Sequence, residues 1–180
     1  TFVTMESSTH SEVVIVGAGP CGLTLANLLG TLGVQTLLVE QHASTVSEPR
    51  AVTIDDESLR TMQSVGLAEI VSADVLPGGG VQYHSQFGEP FARVWPSVQE
   101  YGYSRRNSFQ QYIFEAQLRE GLRRFAHVET AFETTLEGFT QDAEGVTVQL
   151  ASASGKRDVR ARFLAGCDGA RSKIRHLLGF

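Results

Sequence analysis

Six residues near the start of the chain, Gly17-Ala18-Gly19-Pro20-Cys21-Gly22, have the spacing of a dinucleotide fingerprint. Each glycine has a separate physical task. Gly17 permits a tight turn, Gly19 lets the backbone approach a pyrophosphate, and Gly22 lets a helix pack closely on a strand. The pyrophosphate would then rest on free amides at a helix N-terminus, where the helix dipole favours negative charge. Eighteen residues after Gly22 stands Glu40, whose carboxylate can accept hydrogen bonds from the ribose hydroxyls of an adenosine and would repel the extra phosphate of NADP. The chemistry these residues point to is dinucleotide binding, with Gly17, Gly19, Pro20, Cys21, Gly22, Glu40 and its neighbour Gln41 as the contacts.

Such a constellation works only if a strand precedes the glycines and a helix follows them. Glu12 to Val16 is a β-branched run, Leu23 to Leu32 carries apolar residues at helical spacing, Gly33 suits a helix stop, and Thr36 to Glu40 reads as a second buried strand. Residues 12–40 therefore predict one βαβ unit, behind a disordered tail over residues 1–11 that contains Met5. Asp55 and Asp56 can cap a helix running to Val65 and stopped by Gly66, with a short helical piece over Ala68 to Ser72. Residues 77–106 read as an excursion from the nucleotide-binding layer, with a hairpin between Pro77 and Pro96. Ser108 and Gln111 have capping-box spacing ahead of a long helix reaching Phe125. Beyond it the pattern is β: Val128 to Ala131, Leu136 to Gln141, Val146 to Ala151 and Arg157 to Ala165, three of them a meander. Gly166-Cys167-Asp168-Gly169 then leads into a helix capped near Ser172, a second strand–turn–helix junction.

The fingerprint, taken with Pro49-Arg50-Ala51, Gln111 and Gly166-Cys167-Asp168-Gly169-Ala170-Arg171-Ser172, resembles the class A flavoprotein monooxygenases, the family of para-hydroxybenzoate hydroxylase. Within it, the run from Pro49 to Leu67 is most similar to meta-hydroxyphenylpropionate hydroxylases, and the resemblance covers about residues 12–179. It implies an α/β, doubly wound, glutathione-reductase-like FAD-binding domain over residues 12–180, with a β-meander over one edge and the start of a substrate-side β region. It also implies FAD as cofactor, NADH or NADPH as co-substrate, and hydroxylation of a small phenolic substrate by dioxygen. The family's second flavin motif and its substrate region normally follow this point, so the remainder of the enzyme is expected to be absent from this chain. The resemblance admits a homodimer.

By the same resemblance Arg50 lies near the FAD phosphates, Gln111 lies on the flavin side, and Asp168 contacts both FAD and the nicotinamide co-substrate. Each has a plainer reading beside it: a solvated loop arginine, a capping-box partner of Ser108, and a helix cap. Arg171 and Arg175 face either the phosphates of the nicotinamide cofactor or solvent, and Leu136 either packs on adenine or belongs to the core. No residue of the chain is a convincing catalytic acid or base, and the five histidines share no metal-like spacing.

Composition removes whole classes. The chain has 180 residues, 42% hydrophobic and 19% charged, enough for a core of its own and too apolar for disorder. Its formal charge of −5 is spread without basic blocks, which speaks against nucleic acid and anionic membranes as partners. No apolar stretch approaches the ~18 residues that span a bilayer, and two cysteines without short spacing fit a reducing cytoplasm best. An NAD-dependent dehydrogenase and a nucleotide-binding module without turnover stand as the alternatives.

Overall fold

The computed structural model describes residues 10–45 and 50–180, so the first nine residues of the tail expected over residues 1–11, with Met5, and the position of Pro49 lie outside the described residues. In chain order the elements are β1 (His10–Val16), α1 (Pro20–Thr31), β2 (Thr36–Val39), β3 (Thr53–Ile54), α2 (Asp56–Ser64) and α3 (Ala68–Ala73). There follow β4 (Val81–His84), β5 (Pro90–Val94), β6 (Asn107–Ser108) and α4 (Gln111–Gly121), then a 3-10 turn at Leu122–Arg124. The last are β7 (Val128–Ala131), β8 (Thr135–Asp142), β9 (Gly145–Ser152), β10 (Gly155–Gly166) and α5 (Lys173–Leu177). The chain divides into two compact units, one built from residues up to Thr45 and from Arg119 onward, the other from the residues between.

The first unit is a six-stranded sheet in the order β7-β2-β1-β10-β9-β8. Its β7, β2, β1 and β10 run parallel, and β9 and β8 continue it antiparallel. Strand β2 is buried at all four positions, as a parallel strand covered on both faces must be. In β9 burial alternates, with Val146, Val148 and Leu150 inward. The core joins Val14, Leu37, Val39, Val148, Val159 and Ile174, and each such aliphatic side chain removed from water stabilises the fold by about 1.5–3 kcal/mol. Behind the sheet, Gly30 of α1 lies so close to Phe125 that a Cβ would come within 2.4 Å of its ring.

Two expectations shift here. The first strand begins at His10, not Glu12, because His10 and Ser11 find register partners in Arg160 and Ala161 of β10. The meander does not lie over an edge of the sheet: the twelve residues of β10 pair with β9 along their first half and with β1 along their second, so the meander is the sheet's own continuation.

In the second unit Asp55 caps α2 as expected, its carboxylate accepting the Ser58 amide at 2.8 Å, and Gly66 takes a left-handed φ of 71° where the helix stops. The hairpin β4–β5 forms a two-stranded sheet of its own, with all five β5 residues exposed and the Arg93 guanidinium 4.7 Å above the Trp95 ring. The capping box is not made. Ser108 belongs to β6, paired with Thr53 of β3, and the Gln111 side chain is engaged elsewhere. The long helix also stops at Gly121, short of Phe125, with the 3-10 turn completing it.

Candidate functional site

The turn between β1 and α1 is shaped by what its glycines exclude. The Gly17 amide donates to the Val39 carbonyl at 2.8 Å, its φ is 107°, and a Cβ there would sit 2.3 Å from the Cys167 carbonyl oxygen. A Cβ on Gly22 would lie 1.9 Å from the Gly17 carbonyl oxygen and 3.3 Å from the Cys167 Cβ. Both positions therefore require glycine for packing, and both press the turn against the end of β10. Gly19 is different. Its backbone is ordinary extended chain (φ −77°, ψ −175°) and a Cβ would meet nothing within 4 Å, so the missing side chain leaves open space in front of α1.

That space faces unsatisfied donors. Gly19 is the N-cap of α1 without a side-chain cap, Pro20 occupies the first turn, and no acidic residue stands there. First-turn amides, here those of Cys21 and Gly22, have no carbonyl to reach inside the helix, and the dipole places partial positive charge on them. Cys21 itself is exposed. Amide donors, a positive helix end and a side-chain-free approach are what the pyrophosphate of a dinucleotide requires, and the residues present fit it.

Glu40 follows β2 directly. Its Oε2 accepts the Ala18 amide at 2.8 Å and its Oε1 accepts the His42 amide at 3.0 Å. One bond per oxygen leaves each with a further acceptor site for hydroxyl donors. Gln41 is exposed, its amide 3.2 Å from the His42 ring.

At the second junction Asp168 Oδ2 accepts the Ile174 amide at 3.2 Å, so the carboxylate serves α5 as a cap, while Oδ1 is buried with no hydrogen-bond partner. Burial raises the Asp168 carboxyl, but the Ser172 hydroxyl and the amides around the turn outweigh it and hold the group below the usual carboxylate value. Ser172 also caps α5, accepting the Arg175 amide at 3.0 Å. Burial, with the Cys21 thiol and the Asp168 charge behind it, pushes the Cys167 thiol up. Arg171 and Arg175 are exposed. Leu136 is a core residue, 3% exposed, and its carbonyl accepts from the Lys173 ammonium at 2.8 Å.

In the second unit, Gln111 Oε1 accepts the amides of Arg50 and Ala51 at 3.1 and 2.8 Å, and its Nε2 donates to Glu115 Oε1 at 2.7 Å. Gln111 and Glu115 are 4% and 1% exposed, whereas Arg50 is exposed. Glu115 escaped the sequence reading. Its spacing of four from Gln111 on a helix is the signal that would have found it.

A glycine turn on a parallel sheet, an uncapped helix end and an acidic residue closing the second strand define a dinucleotide-binding α/β protein. The family described as FAD binding domain matches residues 10–180, and this chain belongs to it. It is 42% identical over 175 residues to a 3-(3-hydroxy-phenyl)propionate/3-hydroxycinnamic acid hydroxylase of Mycolicibacterium smegmatis, covering 97% of this chain and 31% of that protein. It is 43% identical over 169 residues to the hydroxylase of the same name from Paraburkholderia xenovorans, covering 93% of this chain and 27% of that one. The chain thus spans under a third of the length of these relatives. Among solved structures, p-nitrophenol 4-monooxygenase from Pseudomonas putida superposes with a TM-score of 0.85 at 29% identity, over 94% of this chain and 44% of that one. The flavin-dependent monooxygenase PieE, in complex with FAD and substrate, superposes with a TM-score of 0.82 at 30% identity, over 94% and 32%. No helix among the described residues is long and apolar enough to cross a membrane.

Proposed function

We propose that this chain is the FAD-binding part of an NAD(P)H-dependent flavoprotein monooxygenase that hydroxylates a meta-substituted phenolic acid. The observation that carries the reading is the 42–43% identity, over nearly the whole chain, to hydroxylases of 3-(3-hydroxyphenyl)propionate. The open Gly19 position before an uncapped helix supports a dinucleotide pyrophosphate there, and the family match supports FAD as that dinucleotide. When bound, FAD would supply the two-electron redox chemistry that couples NAD(P)H oxidation to the reduction of dioxygen, with one oxygen atom ending as the ring hydroxyl and the other as water.

What the chain itself does is bind and orient. The amides of Cys21 and Gly22 receive the pyrophosphate across Gly19, with Gly17 and Pro20 shaping the turn. Glu40 receives the adenosine ribose, with Gln41 beside it. Within the second unit Gln111 holds the Arg50 and Ala51 backbone, and Asp168 serves the cofactor end of α5. No side chain here is assigned to proton transfer in the hydroxylation. The free Cys21 and Cys167 thiols suit a reducing cytoplasm.

The test is oxygen and NAD(P)H consumption by the full chain with a panel of meta-substituted phenols. A phenolic acid that accelerates NAD(P)H oxidation and is recovered as a diol supports the reading. A full chain that binds FAD yet shows no phenol-stimulated oxidation sinks it.

A further inference from the structure

Far apart in sequence, Cys21 and Cys167 are brought to one place by the fold of the first unit. Cys21 stands in the first turn of α1, and Cys167 directly follows β10, the strand beside β1. A Cβ on Gly22, the residue bonded to Cys21, would lie 3.3 Å from the Cys167 Cβ, so the first turn of α1 rests on this cysteine. Both sulfurs are free, Cys21 exposed and Cys167 half-buried. Burial pushes the Cys167 thiol up, and the charge of a nearby Cys21 sulfur adds to it. Neither thiol has a task in the site as proposed above, where Cys21 contributes its amide and not its sulfur.

We propose that Cys21 and Cys167 form an oxidisable dithiol behind the glycine turn, and that their disulfide closes the turn to a dinucleotide. The inference rests on the pyrophosphate site of the preceding section. The oxidant is a peroxide, hydrogen peroxide in its simplest form. The Cys21 sulfur attacks one peroxide oxygen: an S–O bond forms, the O–O bond breaks, and the departing hydroxide takes the thiol proton and leaves as water. The Cys167 sulfur then attacks the Cys21 sulfenic sulfur, so that an S–S bond forms, the S–O bond breaks, and the hydroxyl leaves as a second water with the Cys167 proton. Each sulfur has given up one electron and the peroxide has taken two. The order follows from the surroundings, because Cys21 is open to solvent, whereas a half-buried thiol is a poor first nucleophile and reacts when a neighbour presents the electrophile. A disulfide holds its two Cα atoms within roughly 7 Å. Cys21 faces solvent while the thiols are free, so bridging turns it inward and draws the first turn of α1 onto the end of β10, and the Cys21 amide moves with it. A bridge formed under strain is readily reduced, which makes the closure reversible and suits the transient disulfides of reducing compartments.

The experiment treats the reduced apoprotein of the full chain with hydrogen peroxide and maps its peptides by non-reducing mass spectrometry. FAD is then titrated into reduced, oxidised and re-reduced samples, followed by flavin fluorescence. A peptide pair joined through Cys21 and Cys167 is expected, with FAD affinity lowered about tenfold, the worth of one misplaced charged hydrogen bond, and restored by dithiothreitol. FAD added before the peroxide should slow bridging in proportion to its occupancy, since a bound pyrophosphate fixes the turn. Cys167→Ala removes the resolving sulfur, so the linked pair disappears and dimedone captures the Cys21 sulfenic acid.

Peroxide that leaves the pair unlinked, that oxidises Cys167 first, or that bridges the two cysteines without weakening FAD binding would each overturn the proposal. If Cys167→Ala fails to fold, dimedone added to the wild type during the reaction decides the matter, because it intercepts the same sulfenic acid and lowers the yield of linked pair. A reduced wild-type chain that takes up no FAD, with the linked pair still formed, fails the pyrophosphate site and not the dithiol.

Discussion

Glu40 Oε2 accepts the Ala18 amide at 2.8 Å, across 22 residues of sequence. The carboxylate that closes the second strand therefore holds the glycine turn in place. With its other oxygen on the His42 amide, Glu40 ties the glycine turn to the segment that follows β2 before any ligand arrives. Rigid placement of first-turn amides lowers the ordering cost of binding, so one side chain both builds the cradle and offers it a ribose partner.

Glu40→Gln keeps one acceptor oxygen and loses the charge. FAD affinity should fall by roughly 1.5–3 kcal/mol, the worth of hydrogen bonds to a charged group, while the apoprotein still folds. Comparing an FAD titration with a melting curve separates the two effects. An unchanged affinity would mean that Glu40 serves only the turn.

Two of the fingerprint glycines should respond differently to substitution. Gly19→Val places its side chain in open space, so stability should change by no more than about 0.5 kcal/mol, but the valine fills the phosphate path and FAD should not be retained. Gly22→Ala meets the Gly17 carbonyl at 1.9 Å, an overpacked contact expected to cost on the order of 1–3 kcal/mol or more. Melting temperatures and flavin content of the two purified variants test the contrast. Stoichiometric FAD in folded Gly19→Val would count decisively against the cradle.

Asp168→Ala should destabilise the fold by about 1 kcal/mol, the usual worth of a lost cap, because the Ile174 amide loses its acceptor. Asp168→Asn retains an acceptor oxygen and should recover most of that loss. Chemical denaturation of the two variants gives the comparison, and equal losses would show that charge matters more than the acceptor.

Arg160 donates to Asp142 at 2.6 Å, and with the Glu144 amide it holds the Asp142 carboxyl at about 2, below its ordinary 3.8. A depressed carboxylate contributes stability above its unfolded value and loses it as pH falls through the folded one. The difference in melting temperature between wild type and Arg160→Ala should therefore be constant above pH 4 and shrink between pH 4 and 2. Because the pair is exposed, added salt should shrink it too. A difference that persisted at pH 2 would place the effect of Arg160 in packing instead.

Local signals determined a good part of this protein. The β-branched run before Gly17, the helical spacing after Gly22, the Asp55 and Ser172 caps and the left-handed stop at Gly66 depend on contacts within a few residues, and each was legible in order along the chain. Tertiary structure decided what depends on distant partners. The start of β1 at His10 exists because Arg160 and Ala161 pair with it, and the meander became part of the main sheet because β10 is long enough to serve both β1 and β9. The capping-box spacing of Ser108 and Gln111 was a true local pattern, outcompeted by two loop amides some sixty residues earlier and by a buried carboxylate one helical turn on. Glycine spacing likewise announced a dinucleotide turn, but only the approach of Cys167 to Gly17 and of the Gly17 carbonyl to Gly22 separates these two, which the fold requires, from Gly19, which leaves room for a ligand. Hydrogen-bond donors and acceptors go to whichever partner the folded chain brings nearest, and that choice is written in the packing of the elements, not in their order.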